Sequence, residues 1–156
     1  LIRGGGQEKG HRSGTENPAA LAGFAAAARA ALTGLAERNA RIAGLRDALE
    51  AGMRTTTNDI IIHGADGERV ANTSFFSLPG LKSETGQIAF DLEGIALSAG
   101  SACSSGKVGQ SHVLTAMGFD AAPGGLRVSL GPGSTTADVE RFLAAFSRVV
   151  SRRRMT

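Results

Sequence analysis

The single cysteine of this chain is the residue whose type and surroundings best suit covalent chemistry. Cys103 is the only cysteine among 156 residues, and it lies in a segment, 98–109, that consists almost entirely of Ser, Ala and Gly. No apolar residue larger than alanine lies within four positions of it, so its neighbours cannot form the apolar pocket that keeps a thiol inert. We therefore expect an exposed thiol on a mobile loop, which becomes reactive when it loses its proton from a reference pKa of about 8.5. An incidental surface cysteine is the alternative.

The composition argues against several other kinds of site. A lone cysteine cannot form an internal disulfide and fits a reducing, cytoplasmic setting. Without a Cys-x-x-Cys motif, and with three histidines that show no ligand spacing, the chain is not expected to bind a metal. The net charge of +3 equals the arginine run 152–154, which complements the dipole of a helix that ends there. Basic and aromatic residues are not interleaved, so nucleic-acid binding is not expected. No apolar stretch reaches the roughly 18–20 residues that span a membrane.

The first third of the chain predicts a loop and then a long amphipathic helix. Residues 1–16 are glycine-rich and polar, and because the chain begins with Leu1 rather than Met we interpret it as a piece of a longer protein. Pro18 opens the helix, with Asn17 or Thr15 available as its cap. Gly34 is a possible break. An apolar residue recurs at every seventh position, a stripe that needs a partner surface in the molecule or in a second chain: Leu21, Ala28, Leu35, Ile42 and Leu49.

The rest of the chain alternates short strands and helices. Strands are predicted at 60–62, 70–78, 95–97 and 126–130 from their apolar and β-branched residues. Helices are predicted at 84–92, from Ser111 to Gly118, and after Thr135, which forms a capping signature with Asp138. Residues 98–109 are predicted to be a loop. The order indicates an α/β or α+β fold in which helices cover a small sheet.

Five segments together resemble the cysteine desulfurases of the nitrogen-fixation and iron–sulfur-cluster-assembly type. They occur in the same order as in that family and cover nearly the whole chain. The segments are Gly4-Gly5-Gly6-Gln7-Glu8 with Gly10 and Arg12-Ser13-Gly14-Thr15; Asn72-Thr73-Ser74-Phe75; Ser98-Ala99-Gly100-Ser101-Ala102-Cys103-Ser104-Ser105; Ser111-His112-Val113-Leu114 with Met117-Gly118; and Leu126-Arg127-Val128-Ser129-Leu130-Gly131.

The resemblance implies a fold and an activity. The fold would be the C-terminal small domain of a fold-type I pyridoxal-phosphate enzyme, residues 17–156, preceded by residues 1–16 as the tail of the large cofactor-binding domain. The activity would be conversion of L-cysteine to L-alanine, with Cys103 taking the sulfur as a persulfide and passing it to an acceptor or cluster scaffold protein. Arg127 would hold the substrate carboxylate through paired hydrogen bonds, although a strand arginine more often faces solvent. The Thr15 hydroxyl would reach the cofactor phosphate of the neighbouring subunit in a homodimer, with helix capping as its alternative role.

The departures from the family pattern define the open alternatives. The family's cofactor-binding lysine follows a Ser-x-His motif, and none of Lys9, Lys82 and Lys107 lies in such a motif, so this chain alone is expected to be inactive. Ala99 replaces a serine, and Pro132 stands where an arginine is usual. A selenocysteine lyase or another class V aminotransferase relative therefore stays open, as does a non-catalytic sulfur-carrier or dimerisation fragment.

Overall fold

A computed structural model describes residues 4–99, 111–119 and 124–153. The chain divides into two compact units, Leu1–Ala36 and Glu37–Thr156. The boundary expected at residues 16 and 17 stays a prediction, because compactness within this chain does not show to which larger domain a segment belongs.

The first unit contains a short 3₁₀ turn, Gln7–Gly10, and helix α1, Pro18–Leu32. Asn17 caps α1: its side-chain oxygen accepts a hydrogen bond from Ala20 N at 3.0 Å, and Pro18 occupies the first turn, where its missing N–H costs nothing. No residue of α1 is buried. Its large apolar side chains are instead exposed: Leu21, Phe24 and Leu32.

The single long helix expected from the heptad stripe is interrupted. Helix α1 ends at Leu32, the hydroxyl of the next residue, Thr33, donates to Arg29 O at 3.0 Å, and α2 runs over Leu35–Thr56. Gly34, with φ +64, supplies the left-handed backbone between the two helices. The break considered at Gly34 is therefore confirmed.

The second unit contains a four-stranded antiparallel sheet. Strands β1 (Ile61–Ile62), β2 (Thr73–Ser77), β3 (Ser98–Ala99) and β4 (Leu126–Ser129) lie in the order β1-β2-β4-β3. The third strand was predicted at 95–97, which is wrong, because pairing with β4 places it two to three residues later. That pairing also corrects the predicted loop 98–109 at its first two residues. Residues 100–110 of that loop lie outside the described residues.

Helices α2, α3 (Ser83–Leu92) and α5 (Thr136–Arg153) contribute with the sheet to one core. Alternation along the strands divides the sheet into two faces. The core face carries Ile62, Phe76 and Leu126, and it meets the helices through Phe90, Phe142 and Phe146. The opposite face, called here the polar face, carries Phe75, Ser77, Ser98 and Arg127.

Short helix α4, His112–Ala116, begins at Ser111, whose hydroxyl accepts a hydrogen bond from Leu114 N at 3.4 Å, as the sequence predicted. Helix α5 begins with the predicted pairing of Thr135 and Asp138: Thr135 N donates to Asp138 Oδ2 at 3.0 Å. The mixed α/β class, with helices covering a small sheet, is therefore confirmed.

By length and composition no single helix of the described ranges could cross a membrane, and α1 and α2 pass that test only when they are counted together across their break.

Candidate functional site

Arg127 is a candidate ligand-binding residue because of its hydrogen-bond donors. It lies in the interior strand β4, opposite Phe75 of β2 and Ser98 of β3, so both neighbouring strands flank it on the polar face. Its Nη2 donates to Ser98 Oγ at 3.4 Å, a long hydrogen bond. Its Nε is buried and makes no hydrogen bond to any residue that the structure describes. The guanidinium is therefore half-buried with much of its donor capacity unused.

No carboxylate among the described residues forms an ion pair with Arg127. A buried cation without a counter-charge raises the free energy of the folded state. Five N–H donors in a planar fork match a carboxylate through two parallel bonds. The polar face thus offers a site for a small anion that presents a carboxylate.

The approach to Arg127 is shaped by a close contact between two strands. The ring of Phe75 lies where a Cβ on Gly125 would be, so any side chain at position 125 would overlap that ring. Glycine therefore lets β4 pack closely against Phe75 just before Arg127. The contact fixes one side of the arginine site.

His63 lies beside this approach and was assigned no role from the sequence. It is buried, 6 % exposed, with its ring centroid 5.1 Å from that of Phe75 and 4.5 Å from that of Phe119. Its Nε2 lies 2.7 Å from Ser77 Oγ, and Ser77 Oγ donates to Gly124 O at 2.5 Å. Burial lowers the pKa of His63. The only sequence signal was its position directly after the apolar run 60–62, which places it at the end of a buried strand.

Thr15 lies in the first unit and is exposed. Since Asn17 caps α1, the capping role considered for Thr15 is filled by another residue. The loop before it is held by Arg12, which donates to Gly14 O at 2.6 Å and pairs with Glu8 at 3.1 Å and Glu16 at 3.3 Å. An exposed hydroxyl on an ordered loop is chemically suited to a phosphate oxygen. That role stays a prediction.

Cys103, the predicted sulfur-accepting thiol, lies outside the described residues, as does Lys107. The described neighbours in the chain are β3 on one side and Ser111, which opens α4, on the other. Ser98 of β3 pairs directly with Arg127. Within the described ranges no group of His, Asp and Glu could hold a metal ion, and the absence of a metal site stays a prediction.

Comparisons with known proteins agree with the resemblance read from the sequence. The family model described as aminotransferase class-V matches residues 5–142. The chain is 43 % identical over 157 residues to an IscS-like cysteine desulfurase of Mycobacterium tuberculosis and 36 % identical over 156 residues to the cysteine desulfurase NifS of Azotobacter vinelandii; each match covers 99 % of this chain. An X-ray structure of a NifS-like protein from Rickettsia africae superposes with a TM-score of 0.82 at 34 % identity over 97 % of the chain.

The chain spans about two fifths of these proteins: the matches cover 40 % and 39 % of the two desulfurases and 39 % of the NifS-like chain. The fold expected from the resemblance, part of a NifS-like enzyme of fold type I, is thereby confirmed. The family also implies pyridoxal phosphate as cofactor. By its motifs, its fold and the extent of the family match, the chain belongs to the aminotransferase class-V family.

Proposed function

We propose that this chain is the part of a cysteine desulfurase that receives the sulfur and holds the substrate carboxylate. The full enzyme would convert L-cysteine to L-alanine and pass the sulfur to an acceptor for iron–sulfur cluster or thio-cofactor synthesis. The observation that carries the proposal is the half-buried Arg127, which has an unpartnered Nε and no described counter-charge. The relatives named cysteine desulfurase support it.

The role of Arg127 is to orient the substrate. Two parallel hydrogen bonds to the carboxylate of L-cysteine fix its direction, which a single contact could not do. The carboxylate also supplies the counter-charge that Arg127 lacks among the described residues, so binding offsets an electrostatic cost. The free energy of binding thus depends on this residue more than on an exposed arginine.

The role of Cys103 is nucleophilic. Its thiolate attacks the sulfur of the substrate, an S–S bond forms, and the Cβ–S bond of the substrate breaks. The electron pair of the broken bond stays with Cβ, which takes up a proton to give alanine. Pyridoxal phosphate, when bound, supplies the electron sink that makes this cleavage possible.

The remaining roles concern partners. Thr15 would hold a cofactor phosphate oxygen in the neighbouring subunit of a homodimer, and the exposed apolar side chains of α1 favour a covering surface of that kind. The protein would act in the cytoplasm, where a lone cysteine stays reduced. The same exposed face favours a second candidate, a sulfur-carrier or dimerisation module without catalysis of its own. Comparing rates on cysteine and selenocysteine separates a desulfurase from a selenocysteine lyase.

The decisive experiment measures alanine release by the full-length protein with pyridoxal phosphate and L-cysteine. We expect Cys103→Ser to abolish sulfur transfer, because a hydroxyl cannot form a persulfide, while the absorbance of the bound cofactor is unchanged. Titration of this 156-residue chain with pyridoxal phosphate tests the carrier candidate. An imine absorbance band near that of the full enzyme would contradict a module without catalysis. Unchanged turnover in Cys103→Ser would rule out the desulfurase mechanism.

A further inference from the structure

The hydrogen bonds around Ser77 determine which nitrogen of His63 carries the proton. Ser77 Oγ has one proton, and Gly124 O, at 2.5 Å, can only accept it. Ser77 must therefore accept from the ring, whose Nε2 lies 2.7 Å away. Neutral His63 is thus the Nε2–H tautomer, and Nδ1 carries no proton. The relay runs from His63 through Ser77 to Gly124.

The other nitrogen of the ring supports the same assignment. Nδ1 is buried and has no hydrogen-bond partner among the residues that the structure describes. A proton on it would be a buried donor without an acceptor, which costs about 1–3 kcal/mol. A bare Nδ1 is the less costly arrangement. The ring is also held on two sides by Phe75 and Phe119.

The residues that His63 contacts, directly or through Ser77, lie close to Arg127 in the sheet or in the chain. Phe75 pairs with Arg127 across β2 and β4, and its ring fills the space beside Gly125. Gly124, the end of the relay, lies three residues before Arg127 in the chain. Phe119 is tied to α4, because its N–H donates to Leu114 O at 2.9 Å. One ring therefore contacts β2 and the end of α4, and it reaches the start of β4 through Ser77.

We propose that His63 is a positioning residue for Arg127, acting as a hydrogen-bond donor through Ser77 to Gly124 and as a ring packed between Phe75 and Phe119. This rests on the proposed role of Arg127 in holding the substrate carboxylate. Histidine supplies both a donor to Ser77 and a ring packed between Phe75 and Phe119, and the position of Gly124 depends on the donor. Without the His63 donor, Ser77 Oγ is no longer held in place for Gly124 O, so the backbone before β4 shifts and the guanidinium shifts with it relative to the substrate.

The kinetic test uses the full-length enzyme and three substitutions. His63→Phe keeps the ring but removes the donor, Ser77→Ala removes the acceptor, and His63→Gln keeps an N–H donor at the distance of Nε2. We expect His63→Phe and Ser77→Ala to raise KM for L-cysteine about three- to tenfold, the effect of one hydrogen bond, with kcat changed less than about twofold. The KM of His63→Gln should stay close to that of the wild type, because the side-chain amide donates to Ser77 in place of the ring. The double variant His63→Phe with Ser77→Ala should be no worse than either single variant, because both interrupt one relay.

A second readout does not depend on activity. In full-length protein with ¹⁵N-labelled histidine and arginine, His63 should show a protonated Nε2 and an unprotonated Nδ1, and Ser77→Ala should shift the Nε signal of Arg127. If the enzyme is inactive on cysteine while these signals appear as expected, the proposed function fails and the relay stands. Four results would each overturn the role of His63. In the spectra, the result is a protonated Nδ1. In the kinetics, the results are an unchanged KM in Ser77→Ala, equal KM values for His63→Gln and His63→Phe, or a loss of stability without any change in KM. Should His63→Phe fail to fold, the smaller change Ser77→Ala carries the test.

Discussion

At the scale of single residues, the proposed role of Arg127 combines a cost to the fold with a gain in binding. Its guanidinium lies in an interior strand with a buried Nε and without a described counter-charge. Groups of this kind are retained where a ligand supplies the missing charge, and residues that serve binding in this way lower the stability of the free protein.

Substitution of Arg127 should separate binding from stability. We expect Arg127→Lys to raise KM for L-cysteine about 10- to 100-fold, because a point charge replaces a planar fork and charged hydrogen bonds are lost. Arg127→Met should abolish binding, yet the ligand-free protein should unfold at an equal or higher urea concentration, because a half-buried charge without a described counter-charge is removed. The control is Arg54→Ala on the exposed side of α2, which should change neither quantity. A stability loss in Arg127→Met would mean that the guanidinium has a structural partner.

The sequence singled out Arg127 as a candidate and left His63 without a role for a physical reason. Arg127 stands within a run that resembles a known family, so its local sequence carries the information. The importance of His63 depends on Ser77, 14 residues away, and on Gly124, which contacts Ser77 across 47 residues. Neither contact has a local sequence signature. The roles of Arg127, Thr15 and Cys103 all stay predictions at the same scale.

At the scale of elements, glycines in and beside α2 should respond to substitution with opposite signs. Gly34 has φ +64, a conformation that a side chain disfavours by about 1 kcal/mol or more. Gly44 lies inside α2 with nothing within 4 Å of the position that a Cβ would occupy, and alanine there should stabilise the helix by about 0.5–1 kcal/mol. Urea unfolding of Gly34→Ala and Gly44→Ala should therefore move the midpoint down and up respectively. Midpoints that move together would contradict the assigned backbone conformations.

Most elements could be predicted because their signals are local. Apolar periodicity and capping residues gave α3, α4, α5, β2 and β4 to within a few residues. The third strand was misplaced because β3 has little apolar pattern of its own: Ser98 and Ala99 are a strand only through pairing with Arg127 and Leu126. Tertiary pairing outweighs local propensity in such short strands.

At the scale of the whole molecule, the pair Glu50–Arg69 links stability to pH. The two oxygens of Glu50 accept from Arg69 at 2.6 and 2.7 Å, and Glu50 is 5 % exposed. Burial alone would raise the pKa of Glu50, but the hydrogen bonds from Arg69 and the positive charges of Arg69 and Arg46 outweigh it, so the pKa lies below its ordinary value.

A lowered pKa in the folded state fixes the sign of the pH dependence. The stabilisation from Glu50 is fully present above its unfolded pKa of about 4.3 and is lost as the pH falls through the lower folded value. We expect the urea concentration at the unfolding midpoint to decrease as the pH is lowered below about 4.5. The decrease should be less steep in Glu50→Gln. The control Glu37→Gln alters an exposed carboxylate of α2 and should keep the steep fall. Equal slopes in wild type and Glu50→Gln would contradict this assignment.

The pairing of β3 has a consequence for the proposed transfer of sulfur. Two pairs of described residues join β3 to β4, whereas four join β2 to β4. Transient separation of β3 from β4 therefore costs much less free energy than separation of β2 from β4. In hydrogen exchange, deuterium should replace the amide protons of Ser98 and Ala99 well before those of Phe75 and Phe76. Under the proposed function, each opening would release Ser98 and Ala99, about 7 Å of chain, on the side of Cys103, while β2 still pairs with Arg127.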